Sequence, residues 1–199
     1  MMRCSSLSKR GNKFSALRQK SRTNRPVCGV HFRTGCRSGT GRRNTRVLAG
    51  ARHPDSVALS KKQEKAWAEI KQLAGRIAAA DLILISSPMW NYGIPYKLKH
   101  LIDVVSQKDV LFTFDDRGQL GMLKGKKAVA MCARGVQIGE HLPKDKFDFQ
   151  TTYLTMWFNM VGVTDISIRE VEKGLFGPEI DAASRAEAVK AAKALAARI

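Results

Sequence analysis

One unbroken apolar run, LILI from Leu82 to Ile85, constrains the fold of this chain more than any other stretch. Four consecutive branched aliphatic residues are typical of a strand that is covered on both faces, as the strands of a parallel sheet are. Parallel neighbours need long crossover connections, which are usually helices. The run therefore predicts an α/β protein with helices packed on a parallel sheet.

Helical patterns flank this strand. Ser60 begins the sequence SKKQ, a capping box in which Gln63 can reach back to the amide of the cap residue. Apolar residues then recur at helical spacing. Beyond the strand, Pro95 suits the first position of another helix, where a missing N–H needs no partner. Residues 61–106 therefore predict a helix, a strand, a loop and a helix.

The same alternation continues to the end of the chain. The patterns predict a hairpin at Leu111–Leu123, a second buried strand at Lys127–Ala133, a helix at Thr151–Val161, an edge strand at Asp165–Glu172 and a final helix from Pro178. Strands that alternate with helices indicate a doubly wound α/β sheet.

Positive charge is concentrated in the first 54 residues. They contain 14 Lys or Arg and no Asp or Glu, whereas residues 55–199 contain the other 21 basic residues and all 17 acidic ones, a net charge of only +4. The first segment also has neither a strand period nor a helix period, which predicts disorder. We therefore divide the chain into a basic segment, 1–54, and one globular domain, 55–199.

Three interpretations of the basic segment are open. It has the Arg- and Ser-rich, acid-free composition of an organellar targeting sequence. It has enough charge for a nucleic-acid-binding arm, although only Phe14 and Phe32 are aromatic. It can also be a misread or frame-shifted start that was never selected as protein. We favour the third, because it explains the abrupt change at Asp55. Nucleic-acid binding is not favoured, and the expected location is cytoplasmic, with organellar targeting left open.

Neither the cysteines nor the histidines predict a reactive or metal site. Three of the four cysteines lie in the basic segment, so no disulfide framework is indicated. The motif CGVHFRTGC, Cys28 to Cys36, lacks a fourth ligand at zinc spacing. His100 and His141 stand in no catalytic pattern. We predict no metal and no catalytic side chain. No apolar run is long enough to span a membrane.

The loop after the first buried strand, SPMWNYGIP, is the strongest functional signal. In open α/β sheets, ligands bind beyond the carboxyl ends of the strands. Trp90 and Tyr92 offer flat faces, Asn91 offers a donor and an acceptor, and Gly93 permits close backbone approach. A planar heterocycle with amide edges would fit these groups. The alternative is that both rings only pack beneath a turn.

Longer motifs resemble a known family. PMWNYGIPYKLKHLIDVV, from Pro88 to Val105, resembles the flavin loop of FMN-dependent NADH azoreductases and NAD(P)H quinone reductases, which have a flavodoxin-like fold. The resemblance continues through FTFDDRGQLGMLKGKKAVAMCARG and TYLTMWFNMVGVTDISIREVE to GPE, and it covers residues 58–199. Several separate motifs therefore occur in the family order.

The resemblance implies a two-step hydride relay with FMN as cofactor. NADH or NADPH would reduce the flavin, and a quinone or azo compound would then take both electrons. The residues that the resemblance places at the flavin are Met89, Trp90, Asn91, Tyr92, Gly93, Ala133, Arg134, Gly135 and Val136. It also implies a homodimer, for which the helix Tyr153–Val161 offers an apolar surface, although the same surface suits the core equally well. A flavin-free binding or regulatory module of the same fold is the alternative.

The resemblance ends near residue 58. Members of the family begin with a strand and a Ser-rich loop that holds the FMN phosphate, and the opening sequence MMRCSSLSKRGNKF contains no such strand. We therefore expect a flavodoxin-like sheet that lacks a proper first strand, with the edge of the LILI strand open. The second flavin loop also departs from the family pattern Ser-Arg-Gly-Gly, since it reads Ala133-Arg134-Gly135-Val136.

Overall fold

The computed structural model describes residues 17–20, 26–31 and 59–199. The strands in these ranges are β1 (Leu17–Lys20), β2 (Pro26–His31), β3 (Leu82–Pro88), β4 (Phe112–Asp115), β5 (Gly118–Gly121), β6 (Lys127–Ala133) and β7 (Asp165–Val171). The helices are α1 (Lys61–Ala78), α2 (Tyr96–Val105), α3 (Lys144–Phe147), α4 (Phe149–Met160) and α5 (Pro178–Ala196). None of these helices is long and apolar enough to cross a membrane.

A five-stranded sheet in the order β1-β2-β3-β6-β7 forms the centre of the fold. β2, β3, β6 and β7 are parallel to one another, and β1, at the edge, is antiparallel to β2. In the usual flavodoxin order, the strand at this edge of the sheet is the second in the sequence and lies beside the first. Here the edge strand is β1, and it lies beside β2. The predicted α/β class and flavodoxin-like parallel sheet are confirmed.

Helices cover the sheet from both sides. Alternate residues of β3 and β6, including Ile83 and Ala130, belong to one buried cluster with apolar residues of α1, α2 and α4. On the other side α5 packs against β7. Leu195 of α5 lines the same recess as Val129 and Ser167, which point away from the main cluster because side chains alternate along a strand.

The position beside β3 is occupied, which corrects the expectation of a missing first strand and an open edge. β2 pairs with β3 in parallel, with Val27 opposite Leu82 and His31 opposite Ser86. We overlooked this strand because its sequence, PVCGVH, contains a proline and a glycine, which are poor strand formers. The rest of residues 1–54, including the opening stretch, lies outside the described residues, and the division at residue 54 stays a prediction.

Most predicted boundaries agree with the structure, and the differences are local. The capping box is present: the Gln63 N–H donates to Ser60 Oγ, and the Ser60 N–H donates to Gln63 Oε1 at 2.9 Å. Pro95 precedes α2 as its cap instead of being its first residue. α4 begins two residues before Thr151, since Asp148 caps it. The short helix α3 was not predicted. The hairpin β4–β5 and the edge position of β7 are as predicted.

Two glycines let the hairpin approach the end of α4. A Cβ atom on Gly121 of β5 would lie 2.0 Å from the backbone nitrogen of Gly162, and Gly162 itself has a φ of +95°. Next to this contact, the Leu123 N–H donates to the Val161 carbonyl at 2.8 Å. The two backbones therefore touch where no side chain can stand between them, and the contact fixes the hairpin on the core.

Candidate functional site

The loop after β3 is a tight turn of four residues. The Trp90 N–H donates to the Gly93 carbonyl at 2.9 Å, and the Gly93 N–H donates to the Trp90 carbonyl at 3.0 Å. The two central residues, Asn91 and Tyr92, have φ values of +47° and +66°. Two successive positive φ angles define a type I′ turn. Asparagine tolerates this conformation, but a bulky aromatic residue does not adopt it without strain.

Contacts with two other elements hold the turn in place. The Met89 N–H donates to the carbonyl of Ala133, the last residue of β6, at 2.6 Å. The Phe149 N–H, at the start of α4, donates to the Tyr92 carbonyl at 3.1 Å. The Tyr92 ring also lies 5.2 Å from the Phe147 ring, centroid to centroid. Strain at a functional loop persists when the surrounding structure fixes it in this way.

The rings of the turn are exposed, which argues against the interpretation that they only pack beneath it. Trp90 is 41% exposed and Tyr92 is 38% exposed. The nearest aromatic neighbour of Trp90 is Tyr96, with 6.2 Å between ring centroids. A Cβ atom on Gly93 would meet only the Trp90 carbonyl oxygen, at 3.8 Å. The turn therefore presents two flat faces, one side-chain amide and an accessible stretch of backbone at the carboxyl edge of the sheet.

The second predicted loop lies beside the turn, but its arginine points inward. Arg134 is buried, and its guanidinium contacts three carboxylates. Nη1 donates to Asp148 Oδ2 at 3.0 Å, Nε lies 2.8 Å from Glu172 Oε1, and Nη2 lies 3.5 Å from Glu170 Oε1. We call these four residues the Arg134 cluster. Sequence reasoning missed it because its members are separated along the chain, and no local pattern marks them as partners.

Asp148 joins this cluster to α4. Its carboxylate accepts hydrogen bonds from the Thr151 N–H at 2.9 Å and from Thr151 Oγ1 at 2.6 Å, in addition to the bond from Arg134. Burial by itself raises the pKa of Asp148, but the bonds from Thr151 and Arg134 outweigh it and hold the pKa below its usual range. The residue is therefore a buried anion that caps a helix.

Gln150, on the first turn of α4, provides one more link to the site. It is fully buried, and its Nε2 donates to the Ser87 carbonyl at 3.1 Å. Because Ser87 lies near the end of β3, this bond holds the start of α4 against the strand that leads into the turn. α4 is therefore bonded to the turn itself through Phe149 and to the end of β3 through Gln150.

Cys132, next to the second loop, is chemically protected. Burial raises the pKa of its thiol to about 12, with Glu170 adding to the rise and Arg134 opposing it. Only the thiolate reacts with disulfide reagents. With Cys4, Cys28 and Cys36 changed to serine, we expect the folded protein to show no reaction with a dithiobenzoate reagent at pH 8. Unfolding in guanidinium should release one thiol, and rapid reaction of the folded protein would contradict the prediction.

A cavity of about 600 Å³ opens on the far side of the Arg134 cluster, between α4 and β7. It is lined by Lys144, Thr151, Thr152, Thr155, Met156, Asn159, Ile168 and Glu170. None of the nine residues predicted at the flavin lines it, so it is separate from the turn. It shares Glu170 with the cluster, and the Lys144 Nζ lies 3.8 Å from that carboxylate.

Metal ligation finds no support among the described residues, where no group of three or more His, Cys, Asp or Glu could hold an ion. For the Cys28–Cys36 motif, the structure describes only the backbone as far as His31, so that motif stays untested. His141 is exposed and lies 3.8 Å from Glu140, and His100 is partly buried on α2.

A parallel α/β sheet with an aromatic turn at its carboxyl edge defines a flavodoxin-like protein. A family model described as the flavodoxin-like fold matches residues 40–196, and the chain belongs to this family. Within the family it groups with the FMN-dependent NADH:quinone oxidoreductases and azoreductases, as the following comparisons show. The resemblance found in the sequence is thereby confirmed.

Two curated relatives and one crystal structure illustrate the relationship. The chain is 45% identical over 143 residues to FMN-dependent NADH:quinone oxidoreductase 2 of Pseudomonas syringae, which covers 72% of this chain and 68% of the relative. It is 46% identical over 142 residues to FMN-dependent NADH:quinone oxidoreductase 9 of Burkholderia lata, covering 70% and 67%. An azoreductase structure from Bacillus anthracis matches with a TM-score of 0.61 and 25% identity, over 78% of this chain and 74% of that one.

Proposed function

We propose that this protein is an FMN-dependent NADH:quinone oxidoreductase that also reduces azo compounds. The observation that carries the proposal is the exposed type I′ turn of Trp90–Gly93, which presents aromatic faces and an amide at the carboxyl edge of the sheet. A relative that is 45% identical over 143 residues is named an FMN-dependent NADH:quinone oxidoreductase. Bound FMN would supply the hydride-accepting ring, which also returns two electrons to an acceptor.

The chain's own residues would bind and orient that ring. Trp90 and Tyr92 supply stacking surfaces, and the Asn91 amide can donate to and accept from the polar edge of the ring. Gly93 leaves the backbone open to close approach. Met89 is half-buried at the start of the turn and would line the inner wall. The turn needs no charged group for these tasks.

The second loop would contribute backbone more than side chain. The Arg134 guanidinium is paired with carboxylates. The backbone N–H of Arg134 donates to the Val171 carbonyl at 2.8 Å. Ala133, Gly135 and Val136 carry no polar side chain, so any contact of theirs with FMN would be apolar or through the main chain. Arg134 would thus position the loop instead of touching the flavin.

Assembly and location are part of the same proposal. The apolar side chains of Tyr153–Val161 do not form the expected dimer surface, because Leu154, Trp157 and Phe158 lie in the core. Phe149 and Met156 of the same helix are exposed, and these two residues support a homodimer. Light scattering on a sizing column should give twice the mass of one chain. A cytoplasmic location would place the protein where NADH is regenerated.

The proposed reaction uses one flavin for two substrates in turn. Initial rates measured at several NADH and menadione concentrations should therefore give parallel double-reciprocal lines.

An FMN titration tests the proposal directly. We expect the flavin fluorescence to be quenched with saturation at one FMN per chain, NADH to bleach the bound flavin, and menadione to restore its colour. Trp90→Ala should raise the dissociation constant of FMN about fivefold to 150-fold, because stacking of a planar base on an aromatic side chain contributes about 1 to 3 kcal/mol.

The matched control is Phe114→Ala, which removes an exposed aromatic ring from the β4–β5 hairpin, outside the turn. This variant should bind FMN as the unchanged protein does. Absence of quenching in the unchanged protein would overturn the reductase proposal and favour a flavin-free module. Equal effects of the two substitutions would show that the turn does not hold the flavin.

A further inference from the structure

Four residues that follow β7, Glu172 to Leu175, run along the second loop. The Gly174 N–H donates to the Arg134 carbonyl at 3.4 Å, and the Leu175 N–H donates to the Gly135 carbonyl at 3.0 Å. These bonds lie beyond the last paired residues of the sheet, where Ala133 stands opposite Val171. We call residues 172–175 the clasp, because they extend the contact between the two chain segments past the strands.

The carboxylate of Glu172 joins the two ends of the second loop. Its Oε1 accepts a hydrogen bond from the Ile138 N–H at 3.0 Å and lies 2.8 Å from Arg134 Nε. Hydrogen bonds to an ionised acceptor are shorter and stronger than those between neutral groups. The same oxygen atom therefore accepts the hydrogen bond from residue 138 and forms an ion pair with residue 134, whose Nε lies close to it but outside hydrogen-bond geometry. The intervening residues are held between these points.

Leu175 lies against Gly135. A Cβ atom at position 135 would lie 2.6 Å from both Cγ and Cδ1 of Leu175. Leu175 is 80% exposed, so its side chain can move aside, and the contact adds little to the apolar core. The clasp is therefore held at the second loop by its backbone bonds and by Glu172, and not by Leu175.

The other two acids of the Arg134 cluster have different contacts. Glu170 lies 3.5 Å from Arg134 and 3.8 Å from Lys144, and Asp148 bonds to Thr151 in α4. Glu172 accepts the hydrogen bond that the Ile138 N–H donates. Glu172 therefore differs from Glu170 and Asp148 in bonding to the loop backbone beyond Arg134.

We propose that Glu172 is a positioning residue for the flavin, which acts by holding the loop of residues 134–138 against the clasp. This inference rests on the proposed function, because that loop is the second wall of the expected FMN site. Glu172 would not touch the flavin. Its removal would leave the Ile138 amide without its acceptor, and the loop would lose the geometry that an aromatic ring requires.

Two alanine variants separate positioning from charge. Glu172→Ala and Glu170→Ala each remove one partly exposed carboxylate beside Arg134 (side chains 24% and 28% exposed). We expect Glu172→Ala to accelerate hydrogen exchange of the Ile138 amide by about tenfold to hundredfold, the effect of losing one bond to a charged group, and to raise the FMN dissociation constant about tenfold. Glu170→Ala should change both quantities less than twofold.

A third variant tests the chemistry of the contact. Glu172→Gln keeps an oxygen that can accept from the Ile138 N–H, and it should restore most of the amide protection and FMN affinity. Denaturant midpoints of all three variants show whether a change is local or global. Equal behaviour of Glu172→Ala and Glu170→Ala would overturn the inference. If the unchanged protein binds no FMN, the proposed function fails, while the exchange of the Ile138 amide still decides whether Glu172 holds the loop.

Discussion

Replacement of Arg134 by methionine is expected to lower the free energy of unfolding by about 3 to 5 kcal/mol, the usual cost of removing one partner from a buried ion pair. Asp148 would remain buried with only the Lys144 Nζ, 4.0 Å away, as a cationic neighbour, and its carboxylate is completely inaccessible to solvent. Glu170 and Glu172 would repel it and each other across the vacated space. Methionine fills most of the volume of arginine, so the loss would arise from charge and not from a cavity.

Urea unfolding at pH 7 would measure this loss. The matched control is Arg185→Met, which breaks the exposed ion pair between Arg185 and Asp181 on α5. An exposed pair is worth at most about 1 kcal/mol. Similar losses of unfolding free energy in the two variants would contradict the interpretation that Arg134 stabilises the fold through its buried ion pair with Asp148.

Acidification should report the same interaction. Because the pKa of Asp148 is lowered in the folded protein, its contribution to stability is present above the unfolded pKa of about 3.9 and is lost as the pH falls through the lower folded pKa. Without Arg134, one of the bonds that lower this pKa is absent. The stability of Arg134→Met should therefore depend less steeply on pH below about pH 4 than that of the unchanged protein.

Gly121→Ala should lower the free energy of unfolding by about 3 kcal/mol or more, the upper range for overpacked positions. The new methyl group would fall on backbone atoms of Val161 and Gly162, at 2.2 and 2.0 Å. Backbone cannot rotate away as a side chain can. The hairpin would have to separate from α4, and the bond from Leu123 to Val161 would lengthen or break.

A second glycine offers the opposite expectation. Gly75 lies inside α1, and a Cβ atom there would meet nothing within 4 Å. Gly75→Ala should stabilise the protein by about 0.5 to 1 kcal/mol, the difference in helix propensity. Thermal and urea unfolding of both variants would check the pair. A Gly121→Ala protein as stable as the unchanged one would show that the hairpin does not need this close approach.

Local signals in the sequence were enough to predict most of the helices and strands. β3 and β6 are short apolar runs with buried side chains, and the capping box that begins at Ser60 marks the start of α1 at the next residue. Such features depend on neighbours within one turn or one strand, so the pattern of residues reveals them. β2 was missed because its proline and glycine give no local strand signal. It forms a strand because it pairs with β3, which lies far away in the sequence.

The site was predicted only in part. The sequence was enough to predict that Met89–Gly93 lie beyond β3. It did not predict the left-handed conformation of Tyr92, because that conformation depends on contacts with Phe147 and Phe149. Arg134 was expected at the flavin, whereas its side chain lies among carboxylates that are 14 to 38 residues away in the sequence. Contacts of this kind follow from the meeting of distant segments, and no local periodicity encodes them. That the nine residues bind FMN stays a prediction.

The bond from the Phe149 N–H to the Tyr92 carbonyl makes the turn and the first residue of α4 a single mechanical unit. A second copy of the chain that docked on Phe149 and Met156 would act on the same unit as a ligand seated on Trp90. Linkage is reciprocal, so each event would change the equilibrium constant of the other by the same factor. If the chain dimerises through α4 and binds flavin at the turn, its association constant would have a definite value only at a stated concentration of flavin.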